Sequence, residues 1–277
     1  MSFVNAALRP VFDLLLAPFA GLPPIVSLVV VSFVAAVFML FVFKRTSNQA
    51  ALADVKRRIH AGLFEIRLFN DDLRAILRAQ NEILRTNVTY LKHSLVPMIW
   101  ILPPLVLVIA QLQFHYGYEG LRPGATTLLR VDLEPDAVPA GVRPQASLDL
   151  PPGLRAETGE VWIPAESQLA WRLVPESEGD FELGVTVDGA ETVTKSVRVT
   201  DRTLRLSPVR VDRGFLSQLI YPAESPLPSR SPIRAIHLDY PDREVSVLGY
   251  GMHWMIPFFV LSIAFAFALR GWMKVTI

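Results

Sequence analysis

The feature that most constrains this chain is a run of 19 uncharged residues, Ile25 to Phe43, whose only polar side chains are Ser27 and Ser32. At 1.5 Å per residue, a helix of this length covers about 28 Å, close to the ~30 Å hydrocarbon core of a bilayer. Lys44 and Arg45 follow the run, whereas a cleavable signal peptide carries its positive charge before the apolar core. The run therefore predicts a first transmembrane helix, residues 25–43, that is retained with its amino end outside.

The overall composition favours a membrane protein and excludes several kinds of site. Hydrophobic residues make up 51% of the 277 residues, and the net charge is only +1, which gives no basic surface for nucleic acid. The absence of cysteine excludes disulfides, thiolate metal sites and cysteine nucleophiles. The five histidines are scattered and form no HExxH pair, so we expect neither a metal nor a cofactor.

Residues 44–92 form a basic segment with helical periodicity. Asn70-Asp71-Asp72 interrupts the periodicity with side chains that suit a helix N-cap, and this predicts an antiparallel helical hairpin, a coiled coil, that turns there. One long helix running into the membrane is the alternative, because no Gly or Pro forces the turn. The residues predicted to pack in the hairpin recur at intervals of three and four: Leu52, Val55, Ile59, Leu63, Ile66, Leu73, Ile76 and Ile83.

Charge places this hairpin in the cytoplasm. Residues 44–92 contain ten basic and five acidic residues, a net of +5, and the positive-inside rule assigns such a loop to the cytoplasmic side. The basic face is expected either to lie near anionic lipid or to bind a partner.

Two further spans are predicted. Residues 94–113 are apolar apart from Ser94, Gln111 and Gln113, and are broken by three prolines that neighbouring groups or water must accommodate. Residues 252–269 form the third span, followed by a cytoplasmic tail over 270–277 in which Arg270 reaches the interface. At the other end, residues 1–24 are interpreted as a short interfacial helix and lead-in, with a disordered leader as the alternative.

Between the last two spans, residues 117–250 change to alternating apolar and polar residues in runs separated by Pro, Gly and Asp. About seven short strands are expected, including Thr127 to Leu133 and Val193 to Val199. The spacing of Trp171, a turn before Phe181 and the Asp188-Gly189 turn resembles an immunoglobulin-like sandwich. This all-β domain follows the second span and is therefore predicted to be extracytoplasmic. It shows no catalytic motif, and its net charge of −6 is interpreted as a solvated surface.

Three stretches carry a resemblance to a known family: Phe43-Lys44-Arg45 at the start of the hairpin, the stripe from Leu52 to Leu91, and Leu91 to Met98 leading into the second span. With the order of spans, they resemble the three-helix core of the YidC-type insertase superfamily, in particular its EMC-subunit and TMCO-like branch. The resemblance implies a membrane-protein chaperone that captures nascent transmembrane segments and inserts them through a cytoplasm-facing groove. The groove mouth would be formed by Lys44, Arg45, His93, Ser94 and Arg270.

The alternative function is a non-catalytic subunit of a membrane complex, which docks partners through the β-domain and the hairpin. An enzyme is not expected, because His253 and a few serines are the only reactive groups in or near the spans. The expected partners are membrane lipids, together with nascent segments or other complex subunits. The expected location is the bacterial inner membrane, with the amino terminus outside and the carboxyl terminus in the cytoplasm.

Overall fold

The structure is a computed structural model that describes residues 2–68, 72–134 and 142–275. The chain divides into two units, Met1–Ser27 with Leu107–Ile256 and Leu28–Val106 with Pro257–Ile277. The helices are α1 (Ser2–Leu16), α2 (Pro24–Thr46), α3 (Gln49–Leu68), α4 (Leu73–Tyr116), α5 (Phe215–Ile220) and α6 (Met255–Leu269).

Two helical stretches, Pro24–Thr46 and Ile76–Tyr116, are long and apolar enough to cross a membrane. The predicted first span therefore lies in α2, and the second lies in α4. The third predicted span corresponds to α6, which has 15 residues and begins at Met255 rather than at 252. Residues 250–252 instead form a short strand, and His253 Nδ1 accepts a hydrogen bond from the Met255 N–H at 3.4 Å at the start of the helix.

The three prolines of the second span do not break it. Helix α4 is continuous over 44 residues and includes Pro97, Pro103 and Pro104. A proline removes its own N–H donor and its ring crowds the carbonyl four residues earlier, but its fixed φ is compatible with a helix. The helix can therefore continue where neighbouring groups satisfy the freed carbonyls. The predicted division at residue 93 between hairpin and span accordingly has no counterpart in this helix.

The predicted hairpin turn at Asn70-Asp71-Asp72 lies mostly outside the described residues, which resume at Asp72. Helix α3 ends at Leu68 and α4 begins at Leu73, and Asp72 caps α4 because its Oδ1 accepts the Arg74 N–H at 2.9 Å. The Nζ of Lys56 lies 5.8 Å from the centre of the Tyr90 ring, so the early part of α3 meets the later part of α4. The described parts of α3 and α4 are therefore antiparallel.

Antiparallel strands dominate the other unit. One sheet has the order β3-β5-β1-β9-β8 with β4 also paired to β5, a second has the order β2-β6-β7, and β10 pairs with β11. The strands are β1 (Thr127–Leu133), β2 (Ala146–Asp149), β3 (Leu154–Ala156), β4 (Val161–Ile163), β5 (Gln168–Pro175), β6 (Gly179–Val187), β7 (Val193–Val199), β8 (Val209–Val211), β9 (Ile233–Leu238), β10 (Val245–Val247) and β11 (Tyr250–Met252).

The two larger sheets share one hydrophobic core. Side chains from β1 and β5, such as Leu129 and Leu173, belong to the same buried cluster as Leu183, Val185 and Val197 from β6 and β7. Every second residue of β1 is buried, as the alternation predicts. The described residues contain eleven strands where about seven were expected, because several strands have only three or four residues and are too short to show alternation.

Candidate functional site

Two of the five residues predicted to form the groove mouth, Lys44 and Arg45, lie together in the helical unit. Lys44 and Arg45 are exposed in the last turn of α2, and Lys44 Nζ donates a hydrogen bond to the Met273 carbonyl at 2.8 Å. These three residues line a cavity of about 510 Å³ with Phe41 and Trp272. The end of α2 therefore meets the segment after α6, and two cations flank an open, largely apolar recess.

The other three residues of the predicted mouth are placed less fully. The Arg270 guanidinium lies 5.3 Å from the centre of the Phe267 ring, which it contacts as a cation on an aromatic face. His93 and Ser94 belong to α4, but their side chains lie outside the described residues. The structure thus brings Lys44 and Arg45 to the segment that contains Arg270, while the predicted roles of His93 and Ser94 stay predictions.

Helices α2 and α6 contact each other through small polar and aromatic groups. Ser32 Oγ donates to the Phe258 carbonyl at 3.4 Å, and Ser262 Oγ donates to the Ser32 carbonyl at 3.5 Å. The Phe33 and Phe265 rings meet edge to face at 5.4 Å. Small hydroxyl side chains allow close helix packing in lipid because they satisfy their polar atoms on the neighbouring backbone. This contact contains no ionised group, so it does not form a charged groove.

The hairpin packs around a glycine. Gly62 is buried, and a Cβ placed on it would lie 2.7 Å from Ile83 Cγ1, closer than side chains normally approach. Ala79 is fully buried and Val55 is 6% exposed. Among the other predicted packing residues, Ile59, Ile66, Ile76 and Ile83 are half-buried. The side chain of Leu52 lies outside the described residues.

Two of the predicted packing residues are exposed instead. Leu63 is 53% exposed because it follows Gly62 and points about 100° away from it around the helix, and Leu73 is 67% exposed at the first position of α4. With Phe64 and Leu68, which are 68% and 74% exposed, they form an apolar surface at the turn end of the hairpin. We call these four residues the tip patch.

A buried ionic cluster lies in the β-sheet unit. Lys195 on β7 is 0% exposed, and its Nζ donates to Glu224 Oε2 at 2.8 Å, to the Ser207 carbonyl at 2.6 Å and to the Ser196 carbonyl at 3.1 Å. Ser207 Oγ, at 3.1 Å, is a fourth acceptor. The carboxylate and the two carbonyls can only accept, and a neutral amine has two N–H donors, so the geometry indicates an ammonium group. Glu224 comes from the loop between α5 and β9.

The carboxylate of this cluster is held in its charged form. Burial alone would raise the pKa of Glu224, but the Lys195 charge and hydrogen bonds from Lys195, Ser207 and the Ser196 N–H outweigh it, so the pKa lies below its ordinary value. Burial also lowers the pKa of Lys195, and Glu224 opposes that shift. Because the acceptors match an ammonium, we take the pair as ionised at neutral pH.

Helix α1 attaches to the same region through a polar stripe. Asn5 Nδ2 donates to the Gln218 carbonyl at 2.6 Å, and Arg9 donates to the Pro222 and Glu224 carbonyls. Asp13 pairs with Arg205 at 2.8 Å and with His115 at 3.2 Å. Sequence reasoning missed this contact, although the spacing of 5, 9 and 13 places these polar residues on one helix face.

The cluster shows no arrangement for catalysis. Ser207 Oγ lies 3.1 Å from Lys195 Nζ, which resembles a serine–lysine pair, but it also donates to Glu224 at 2.7 Å. A lysine must be neutral to act as a base, and Glu224 holds this one charged. Among the described residues, no three His, Cys, Asp or Glu side chains are placed to bind a metal ion. The bonds of the cluster join β7 to Ser207 and to the loop that carries Glu224.

In comparisons with known proteins, no protein-family model, no curated protein and no solved structure matches the chain.

Proposed function

We propose that this chain is an integral membrane protein that captures transmembrane segments of nascent proteins and helps to insert them, as the YidC-type insertases do. The observation that carries the proposal is the hairpin of α3 and α4, whose exposed tip patch is joined by one continuous helix to an apolar run long enough to cross a membrane. Captured apolar segments would be held at the tip patch and released into the bilayer beside α4.

The proposed topology places the amino terminus outside, α2, α4 and α6 across a bacterial inner membrane, and the hairpin and carboxyl terminus in the cytoplasm. Its support is the basic residues at the ends of two of these helices, Lys44 and Arg45 in the last turn of α2 and Arg270 and Lys274 after α6, together with the net charge of +5 over residues 44–92. The β-sheet region would form an extracytoplasmic domain, which we propose to be an immunoglobulin-like sandwich.

Helix α1 fits an interfacial position in this topology. The face opposite its polar stripe exposes Phe3, Val11 and Leu14, which are 85%, 59% and 78% exposed. An apolar face of this kind is buried at the boundary between headgroups and acyl chains when a helix lies on a bilayer.

The short α6 supports the insertase proposal for a physical reason. Fifteen residues cover about 22 Å, less than the ~30 Å of hydrocarbon that an ordinary span crosses. A short span is accommodated by thinning the bilayer around it. Polar flanks of a client cost several kcal/mol to carry through hydrocarbon, and a thinner layer lowers that cost.

Reconstitution tests the proposal. Proteoliposomes that contain the full chain should insert a membrane protein with a short extracytoplasmic tail faster than protein-free liposomes do. The double variant Phe64→Glu/Leu68→Glu, which places two carboxylates in the tip patch, should lose most of the gain. Ala61→Glu adds a carboxylate at an exposed α3 position outside the tip patch and should retain it. Equal insertion with and without the wild-type protein would refute the proposal.

A second candidate function, a non-catalytic subunit of a membrane complex, is favoured by one observation. Helix α2 carries charge only in its last turn, and α6 carries none. The apolar parts of these two helices therefore contain no ionised group that would hydrate a groove. This chain should then copurify with other proteins in fixed stoichiometry when the membrane is solubilised in mild detergent. Isolation of this chain without any other protein would contradict that role.

A further inference from the structure

Helix α4 carries two apolar seams, and the hairpin uses only one of them. The first seam faces α3 and consists of Ile76, Ala79, Ile83 and Tyr90, in which 76, 83 and 90 repeat every seven residues. Ala79 is fully buried there, Ile83 lies against Gly62, and Tyr90 lies beneath Lys56. This seam is occupied by the chain's own helix.

The second seam, which we call the outer seam, runs about a third of a turn away around α4. It repeats every seven residues in two registers, Leu77, Leu84, Leu91 and Met98 in one and Asn81, Val88, Leu95 and Leu102 in the other. Its apolar side chains are all between 47% and 65% exposed. Successive members alternate in steps of four and three, which is the spacing of a coiled-coil heptad with 81 at position a and 77 at position d.

Lipid does not account for the whole outer seam. Its first half, Leu77 to Leu91, lies in the basic part of the helix beside Arg78 and Arg85, before the apolar run begins. Three leucines and Val88 are exposed along this half, and each is stabilised by ~1.5–3 kcal/mol when it is buried. A water-exposed stripe of this length and regularity indicates a protein partner.

The residue types identify the partner. Leucine at d with valine at a favours two strands, and a single asparagine at a, here Asn81, fixes register and oligomeric state. The outer seam runs on without interruption into the apolar run, so two copies inserted in one membrane would emerge at the same depth and in the same direction. The outer seams of two parallel copies would then match each other residue for residue.

The flanking charges also favour the parallel pair. The e positions are Arg78, Arg85 and Lys92, whereas the g positions Gln80 and Asn87 are neutral. In a parallel coiled coil, the g residues of one helix lie beside the e residues of the other, so basic side chains meet amide side chains. In an antiparallel coiled coil, the e residues of the two helices would lie beside each other, and their basic side chains would repel.

We propose that the outer seam joins two copies of this chain as a parallel, in-register coiled coil. The proposal does not rest on the insertase function, because it depends only on the heptad pattern of α4 and on the insertion of that helix in a membrane.

Disulfide trapping in the full-length chain tests it, since the natural sequence has no cysteine. Val88→Cys at position a should give a covalent dimer on mild oxidation in native membranes. Glu82→Cys at position b is equally exposed but lies off the seam, and it should give at least tenfold less. Absence of the dimer at position 88, or equal yields at both positions, would overturn the proposal.

Charge variants give an independent readout. In detergent, Leu84→Glu should change the measured mass of the protein from that of a dimer to that of a monomer. The double variant Gln80→Glu/Asn87→Glu should lower the dimer dissociation constant roughly fivefold or more, because each new carboxylate then faces a basic e residue of the other copy. Weaker association of the double variant would contradict parallel pairing. Circular dichroism of each variant verifies that the helices remain.

Discussion

The β-sheet unit and the helical unit satisfy their side chains in opposite ways. In the first, even a charged residue such as Lys195 is fully buried and bonded, and the core leucines of both sheets are closed off from solvent. In the second, Leu84 is 65% exposed and Phe64 is 68% exposed. The β-sheet unit therefore contains the groups that stabilise it, whereas the helical unit leaves large apolar side chains exposed.

Breaking the buried ion pair should have the largest effect. Glu224→Ala leaves the Lys195 ammonium buried without its carboxylate, and we expect the free energy of unfolding of the β-sheet unit to fall by about 3–5 kcal/mol. Urea titration of the full chain in mild detergent, followed by β-sheet circular dichroism, measures this.

The matched control is Glu176→Ala, which removes a partner from an ion pair with Arg155 whose side chains are both more than half exposed. It should cost under about 1 kcal/mol, because water screens and solvates both charges. Similar losses in the two variants would mean that the buried pair does not stabilise the unit.

Acid should weaken the same pair by a smaller amount, since a protonated Glu224 still fills its site. The folded pKa of Glu224 lies below its unfolded value of 4.5, so its contribution is complete above that pH and is lost as pH falls through the lower folded pKa. Urea midpoints between pH 7 and pH 3 should therefore fall more steeply for the wild type than for Glu224→Gln. Parallel curves would contradict this assignment.

The next largest loss of stability should come from a larger side chain at Gly62 in the hairpin. Gly62→Val places side-chain atoms where Ile83 already lies, and we expect a loss of about 1–3 kcal/mol from overpacking. Faster amide hydrogen exchange in α3, with no change in the β-sheet unit, is the expected readout. Ala61→Val introduces the same residue at the neighbouring exposed position and should have little effect.

The smallest effect should come from the cap of α4. Asp72→Ala removes the acceptor of the Arg74 N–H and should cost about 1 kcal/mol, visible as faster exchange in the first turn of α4. Asp72→Asn retains a side-chain oxygen and should behave like the wild type. If both variants exchange alike, the cap contributes nothing measurable.

Much of the fold could be predicted from local pattern. The apolar run after Ile25, the Asp72 cap of α4 and the alternating strand Thr127–Leu133 all follow from charge, capping and periodicity within a few residues, and the structure has each of them. The ends of α6 and the passage of α4 through Pro97 were predicted less well, because tolerance of a proline depends on neighbours that local pattern does not contain.

Local sequence pattern predicts the candidate sites less well than it predicts the fold. Lys44 and Arg45 could be placed at a helix end from their position after an apolar run, but the pairing of Lys195 with Glu224 joins residues 29 apart through a loop with no periodicity. Leu63 and Leu73 were expected inside the hairpin because intervals of three and four are ambiguous by one residue at a turn. Only the position of Gly62 against Ile83 decides which face is buried.

The contact of α1 with the β-sheet unit also constrains the order of biosynthesis. Asn5 bonds to Gln218, a separation of 213 residues along the chain. At synthesis rates of roughly 5–20 residues per second, the first helix waits on the order of 10–40 seconds before its partner leaves the ribosome. During that interval its exposed apolar face needs a temporary site, and a bilayer surface would both shield the helix and hold it on the side where the later domain arrives.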